Sequence, residues 1–488
     1  MTIVVTIFFF VPLSTQPFCL MIMKRLLCLL TLLLPFATYA YNGEMLTLEM
    51  GGSKIYPGTD RKVMIYVPRQ YDASAPAALI VGTDSQEKAL AECIDSLIVE
   101  GTMPVTIAVV VRPGRIHNAK GEVVRYNRSN EYDRMDGRFA LFLEKEVLPE
   151  VERMRCADGR AIKLSKEPSM RAITGSSSGG ICAFNAAWQR PDMFSRVYAM
   201  CGTFVPFRGG DQFPALVRKG EPRALRIFLQ DNDKDTWNPL FGSWFEYNTL
   251  MLSALQFAGY DVRHQWDKGG HSGRNGRAIM KEVMRWLWSD WQSGVKVGMS
   301  GNKSLNDIII PGEGWHCIAD EVADGAMVYP YDDEQVMLRI GRRNEAVAVS
   351  GERTKIKGRI ALPNPYKALY PGGAHTAVRR EGSNWVWQYI NTPDGKLSHG
   401  QEFYYLYTDA GQMLFDAKGY LYVATAVGVQ ICDQNGRVRA ILSLPGGSVE
   451  SIAFAGNNLF AISGGKLYVR KLLRSGVHQG SPKSEGQG

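Results

Sequence analysis

Between residue 41 and about residue 293, short β-rich runs alternate with longer stretches whose apolar residues recur at helical spacing. The strands this pattern predicts are Arg61–Val67, Ala77–Val81, Val105–Val111, Arg171–Ile173, Arg196–Met200, Leu225–Leu229 and Val262–Trp266. Residues 138–154 carry apolar side chains at 139, 142, 143, 147 and 151, the spacing of an amphipathic helix. Phe245–Ala258 and Arg277–Trp288 follow the same rule. Strands interleaved with helices predict an α/β fold, with a mainly parallel sheet covered on both faces.

The pattern changes after Ser293. Residues 293–305 (SGVKVGMSGNKSL) turn to Gly, Ser, Lys and Asn, which places a linker at 294–304. From 305 to 474 the runs are short and β-rich, with turns such as Ala417-Lys418-Gly419, Gln434-Asn435-Gly436 and Gly456-Asn457-Asn458. Four-stranded units of about 40 residues fit that spacing, so an all-β, propeller-like domain is expected there. Residues 475–488 are rich in Gly, Ser and Lys and are expected to be a disordered tail. A chain of 488 residues exceeds one ordinary core, which agrees with two domains, 41–293 and 305–474.

Composition narrows the setting. Hydrophobic content of 45% and charged content of 21% are those of a globular protein. The net charge of +8 is spread along the chain without a run of like charges, so nucleic acid is not an expected partner. Near the start, Lys24 and Arg25 precede the apolar run Leu26–Phe36, and Thr38-Tyr39-Ala40 offers a cleavage site. That run falls short of the ~20 apolar residues that span a bilayer. Residues 1–40 are therefore read as a signal peptide, with translation starting at Met21 or Met23 and a secreted or periplasmic product without stable membrane insertion. The rival reading is an anchor made with the apolar stretch before it. Two of the eight cysteines, Cys19 and Cys28, lie in this segment. The other six have no metal-ligand spacing, and they are expected to be mostly buried, small apolar residues.

The strongest chemical signal is Gly175-Ser-Ser177-Ser-Gly179-Gly180, directly after one predicted strand and before the apolar stretch ICAFNAAWQRPDMF. A G-x-S-x-G turn between strand and helix is the nucleophile elbow: it lifts the serine Oγ clear of the sheet and turns the following N–H groups towards the reacting carbonyl. Ser177 is thus the candidate nucleophile, and the backbone N–H of Ser178 one oxyanion donor. A hydroxyl is a weak nucleophile and needs a base. Of seven histidines, His271, in the loop after the last predicted strand, has the right place in the chain. His264 lies within that strand and reads as a packed strand residue, and His117 as a surface one. The orienting acid should come from the loop after Leu225–Leu229. That loop holds Asp231, Asp233 and Asp235, of which Asp235 is preferred because a few residues past the strand end the acid can turn back towards the histidine Nδ1. The order Ser…Asp…His is that of α/β-hydrolases. The second oxyanion donor is expected in Gly82-Thr83-Asp84-Ser85, on Thr83. Arg208 and Trp244 are candidate pocket residues, set against the more ordinary structural readings of an ion pair and a core aromatic.

These residues resemble the esterase family of α/β-hydrolases that includes enterochelin esterase, esterase D, and feruloyl and acetylxylan esterases. The resemblance spans residues 45–292 and includes NRSNEYD (127–133), FLEKEVLPEVE, GSSSGGICAFNAAWQRPDMFSRV, FRGGDQFPALVRK, IFLQDNDKD and GGHSGRNG. It implies a triad on Ser177, Asp235 and His271. One departure concerns the second oxyanion donor: relatives often carry Phe-Gln-Asp-Gly where this chain has Gly82-Thr83-Asp84-Ser85. The second domain resembles part of a regucalcin/gluconolactonase-type β-propeller over Gln412–Leu472. About 165 residues hold roughly four blades rather than that propeller's six. Its metal ligands are not recognisable here, Asp324 and either Asp409 or Gly411 being the nearest.

The expected activity is hydrolysis of a carboxylic ester through an acyl-enzyme, with no metal and no cofactor. An acylated carbohydrate, carrying an acetyl or hydroxycinnamoyl ester, is the substrate class that export and the resemblance imply. The alternatives are a catechol-siderophore esterase, a metal-dependent lactonase in the second domain, and an inactive module that binds glycan or protein. Oligomeric state is not encoded in any feature of the sequence.

Overall fold

Eight strands build the first sheet: β1 Glu44–Met50, β2 Arg61–Val67, β3 Ala78–Thr83, β4 Thr106–Val111, β5 Arg171–Ser176, β6 Arg196–Met200, β7 Arg226–Asn232 and β8 Asp261–Asp267. The computed structural model describes residues 41–358 and 360–477, so the expectations for residues 1–40 and 478–488 lie outside the described residues. The strands lie in the order β1-β2-β4-β3-β5-β6-β7-β8. β1 and β2 run antiparallel to their neighbours, and β4 to β8 are parallel. Every residue of β3 (ALIVGT) and β4 (TIAVVV) is buried, because helices cover both faces and no polar alternation is needed.

The edges behave differently. β1 was not among the predicted strands; its sequence EMLTLEM alternates, and its faces are mostly half-buried. β8 closes the other edge. His264, expected as a packed residue, is exposed there, with its ring 4.8 Å from that of Trp266. The correction follows from position, since an edge strand next to the domain's rim has one flank without a neighbouring strand.

The helices that matter for the site are α1 Glu87–Val99, α2 Ser178–Gln189, α3 Phe213–Lys219, α4 Trp244–Phe257 and α5 Met280–Leu287. The helix predicted over 138–154 forms, but with a wider π-type turn at Leu143–Val147 between two α-helical segments. Pro149 accounts for it: its ring would collide with the carbonyl four residues back, and it has no N–H to donate.

The second part contains four four-stranded antiparallel sheets. Three are built from consecutive strands, within residues 327–355, 367–405 and 413–442. The fourth joins His316–Ala319, the first strand of this part, to Lys466–Lys471, the last, with 451–463 beside them. All five residues of Leu421–Thr425, Gly428–Cys432 and Ser451–Ala455 are buried. Asp324 and Asp409 are both exposed.

From Gly43 onward the chain clusters as one unit. The segment read as a linker is tied down: Gly298 and Gly301 donate to the carbonyls of Gly259 and Phe257, and Asn302 Nδ2 donates to Arg439 O at 2.8 Å. The end of α3 meets the second part directly. Lys219 Nζ donates to Tyr407 Oη at 2.5 Å, Gly220 bridges to Ile441, and Arg470 grips both oxygens of Glu221 at 2.5 and 2.7 Å. One apolar cluster runs from Leu216 and Val217 on α3 to Cys432, Val438 and Ile441. All six described cysteines are free thiols, and five of them are buried.

Candidate active site

Ser177 sits between β5 and α2 with φ 61° and ψ −123°. A non-glycine residue in this region is strained, and the strain is held by the surroundings. Ser177 N–H donates to Met200 O at 2.9 Å, and its carbonyl accepts from Gly180 N–H at 2.9 Å and Thr203 N–H at 3.2 Å. The flanking glycines are required by contact. A Cβ at Gly175 would collide with the Gly179 carbonyl and the Thr83 hydroxyl, and one at Gly179 with the same hydroxyl. Because Ser178 opens α2, its N–H has no partner one turn earlier and is free to meet an anion.

His271 lies in the loop after β8. Ser177 Oγ is 2.8 Å from its Nε2, and its Nδ1 is 2.6 Å from Asp235 Oδ1. The second contact fixes the tautomer: with Nδ1 donating to the carboxylate, Nε2 is left to accept the serine proton. The His271 side chain is 32% exposed and that of Asp235 fully buried. Asp235 also accepts from Thr236 N–H at 2.5 Å. Burial would raise its pKa, but the hydrogen bonds from His271 and Asp231 and the His271 charge outweigh that and hold it below the ordinary carboxylate range.

Of the three candidate acids, then, Asp235 is the one beside His271. Asp233 points outward, accepting from Lys268 Nζ at 2.6 Å and Gly269 N–H at 3.1 Å. Asp231 is wholly buried behind the loop. The acid and histidine loops are laced together, since Asp233 N–H and Lys234 N–H donate to the carbonyls of Asp267 and Gly269.

Thr83 is buried at the end of β3, its hydroxyl turned under the elbow and 3.5 Å from Thr174 O. Any part it takes in binding an anion would fall to its backbone N–H. The next residue, Asp84, has φ 58° and is clamped by Arg128, whose Nε and Nη2 donate to its two oxygens at 2.7 Å each. Arg128, from the NRSNEYD stretch, also reaches Ser176 O at 3.4 Å, which ties this loop to the elbow. Trp244 is brought to the centre: its ring stands edge-to-face with His271 at 6.0 Å, and its Nε1 donates to Thr203 Oγ1 at 3.3 Å. Arg208 is held apart from these contacts, donating to Ser129 Oγ at 3.0 Å and lining a cavity of about 320 Å³ with residues 125–127, 129 and 130.

Three features escaped the sequence reading. Thr203 Oγ1 lies 3.4 Å from Ser177 Oγ. Asn232 donates to the carbonyls of Gly270 at 2.9 Å and Ser272 at 3.0 Å, on either side of His271. A small hairpin, Trp237–Asn238 paired with Gly242–Ser243, projects between Asp235 and α4. Trp237 at its base is 71% exposed and Leu240 at its tip 81%. Only the hairpin left a signal, as an apolar-aromatic run (TWNPLFGSW) with no helical or strand period.

Residues 54–290 match the family described as "Putative esterase". Among solved structures, a ferulic acid esterase is 17% identical with a TM-score of 0.39, the match covering 51% of this chain and 98% of that one. The enterobactin esterase FES from Shigella flexneri is 19% identical with a TM-score of 0.37, covering 50% of this chain and 59% of that one. A protein from Capnocytophaga ochracea is 15% identical with a TM-score of 0.35, covering 51% and 65%. The match thus spans about three fifths of the enterobactin esterase's length. No curated protein sequence matches the chain. Through residues 54–290, just under half of its length, the chain is similar to the "Putative esterase" family, a match that fits a carboxylic ester hydrolase.

Proposed function

We propose that the protein is a secreted serine esterase that cleaves its ester through a Ser177–His271–Asp235 triad and an acyl-enzyme. The observation that carries this reading is the hydrogen-bonded relay, 2.8 Å from Ser177 Oγ to His271 Nε2 and 2.6 Å from His271 Nδ1 to Asp235 Oδ1. Ser177 Oγ attacks the ester carbonyl as its proton passes to His271 Nε2. Asp235 holds the ring and stabilises the imidazolium. The oxyanion is met by the free N–H of Ser178, with a second donor from the loop Gly82–Ser85. His271 then protonates the departing alcohol, and water, activated by the same nitrogen, releases the acid.

The substrate class is an acetyl or hydroxycinnamoyl ester of a carbohydrate. The half-exposed His271 supports a bulky alcohol, because a sugar chain can lie across an open rim. Trp244 and the exposed Trp237 and Leu240 supply apolar surface for the acyl group. We read 41–293 and 305–474 as two domains, and the four sheets of the second as blades of a closed ring. The pairing of His316–Ala319 with Lys466–Lys471 supports closure, since it joins the first strand to the last. Among the described residues, no helix is long and apolar enough to cross a membrane.

The test is fluorophosphonate labelling together with a panel of acetyl, feruloyl and catechol-siderophore esters, run on wild type and Ser177→Ala. Wild type should label and turn over at least one ester, and the variant should lose about 10⁴-fold or more in kcat. Equal rates in the two proteins would refute the assignment.

A further inference from the structure

Two buried oxygens behind the triad have no donor. Asp235 Oδ1 is fully used, by His271 Nδ1 and by Thr236 N–H, yet Asp235 Oδ2 is buried with no hydrogen-bond partner. Asp231 Oδ1 accepts Asn232 N–H at 2.7 Å, and Asp231 Oδ2 is likewise buried without a partner. One oxygen of each carboxyl and Cys201 Sγ all lie within 4.8 Å of one another. If both acids were ionised, each would carry a bare buried oxygen facing a like charge, an arrangement that folded proteins avoid. A single proton between them satisfies both.

Beyond Cys201, the neighbours offer no donor and no counter-charge. The Cys201 thiol, just past β6, lies beside Asp231 and also reaches Ser272 O at 3.4 Å, and its single proton cannot serve both bare carboxylate oxygens. Gln230 Nε2 is spent on Asp267 Oδ2 at 3.0 Å, and Asn232 Nδ2 on the two carbonyls beside His271. Across the sheet, Trp266 on β8 stands in register with Asp231. Lys268 is paired with Asp233, and His271 touches only the far oxygen of Asp235. Among the described residues, no Lys or Arg forms an ion pair with Asp231.

We propose that Asp231 is a positioning residue that stays protonated in the working enzyme and donates its carboxyl proton to Asp235 Oδ2, so fixing the carboxylate that orients His271. This rests on the reading of Asp235 as the triad acid. Burial, followed by the adjoining Asp235, pushes Asp231 up to about 9, while Asp235 is held low. One acid of the pair therefore remains neutral at working pH so that the other can remain charged. Raising the pH until Asp231 ionises removes the donor and sets a second negative charge beside Asp235, and activity should fall on an alkaline limb.

The experiment is the pH profile of kcat/KM on p-nitrophenyl acetate for wild type, Asp231→Asn and Asp231→Ala, corrected with Ser177→Ala as the blank. Asparagine keeps a neutral donor in the same place. It should stay within about threefold of wild type at neutral pH and lose the alkaline limb, whereas alanine should lower kcat roughly tenfold or more with KM little changed. The proposal is overturned if the asparagine variant drops as far as alanine, if it keeps the wild-type limb, or if alanine matches wild type. Should the alanine variant not fold, the asparagine profile decides alone. Failure of the parent reading looks different: Asp235→Asn or Ser177→Ala would then keep wild-type rates whatever Asp231 does.

Discussion

Replacing Asn232 by alanine probes how His271 is held without touching it. Its amide donates to the carbonyls of Gly270 and Ser272, and its Oδ1 accepts from Asn275 Nδ2 at 2.8 Å and Gln230 Nε2 at 3.1 Å. The side chain is buried, so the substitution strands these partners and leaves a small void. At about 1 kcal/mol net for each hydrogen bond, the fold should lose about 2–4 kcal/mol. For a cooperative unit of about 250 residues that corresponds to a fall in Tm of roughly 4–8 °C. With both flanking carbonyls released, the His271 loop gains room to drift, and a 1 Å displacement of a reacting group can cost ~100-fold. The expected result is a drop in kcat/KM of about 10- to 100-fold, carried mainly by kcat because the imidazole acts in the transition state. Steady-state kinetics at least 15 °C or so below the variant's own melting point, paired with scanning calorimetry, would separate the two effects. A folded Asn232→Ala protein with kcat/KM within about twofold of wild type would refute the idea that these two bonds place the histidine.

Other outcomes follow from the same geometry. Arg470 is 2% exposed and grips Glu221, so Arg470→Ala should cost about 2–4 kcal/mol by chemical denaturation, and a double-mutant cycle with Glu221→Ala should show about 1–3 kcal/mol of coupling. Additive effects would discount that contact. Stability should also vary with pH through Asp231. Its folded value of about 9 stands above its ordinary 3.8, so its contribution is complete below 3.8 and is lost as pH rises towards 9, by up to ~1.4 kcal/mol per pH unit. Asp235, held low, contributes the opposite way, present above its unfolded value and lost as pH falls through its folded one. Melting curves from about pH 5 to pH 9 should therefore slope downward in wild type and flatten in Asp231→Asn; parallel slopes would contradict the protonated state. Trp237→Ser, at a solvent-facing position, should leave stability within about 0.5 kcal/mol. It should nonetheless raise KM roughly three- to tenfold for a hydroxycinnamoyl ester and not for an acetyl one. Equal shifts for both esters would remove Trp237 from substrate recognition.

What was legible in the sequence was what local pattern encodes. Arg61–Val67 and Arg196–Met200 have the boundaries expected from their β-rich runs, and the remaining predicted strands differ by a few residues at their ends. The elbow was visible because its glycines must bracket the serine, and His271 because so few histidines compete. Asn232 and Thr203 could not be found this way. Each acts through partners some 26 to 40 residues distant, which no period or spacing reveals. Asn232 was also hidden in a run of acids that reads as a turn, whereas β7 extends through it. His264 was misjudged because strand order, and with it the edge position of β8, is a property of the assembled sheet.

The seam beneath α3 bears on how this protein can be handled. Helix α3 leaves the segment that carries Thr203 and Arg208, and its other end is fastened to the β-rich half by Lys219, Gly220 and Glu221. Leu216 and Val217 have Val438 and Ile441 in the same apolar cluster, where a self-sufficient hydrolase would need a polar exterior. A gene cut after residue 293 would thus yield a catalyst with an oily, unfinished flank, prone to clump before it could be assayed. The C-terminal half serves as an outer wall for the hydrolase, and swapping it for a tag or a foreign module would mean rebuilding that wall first.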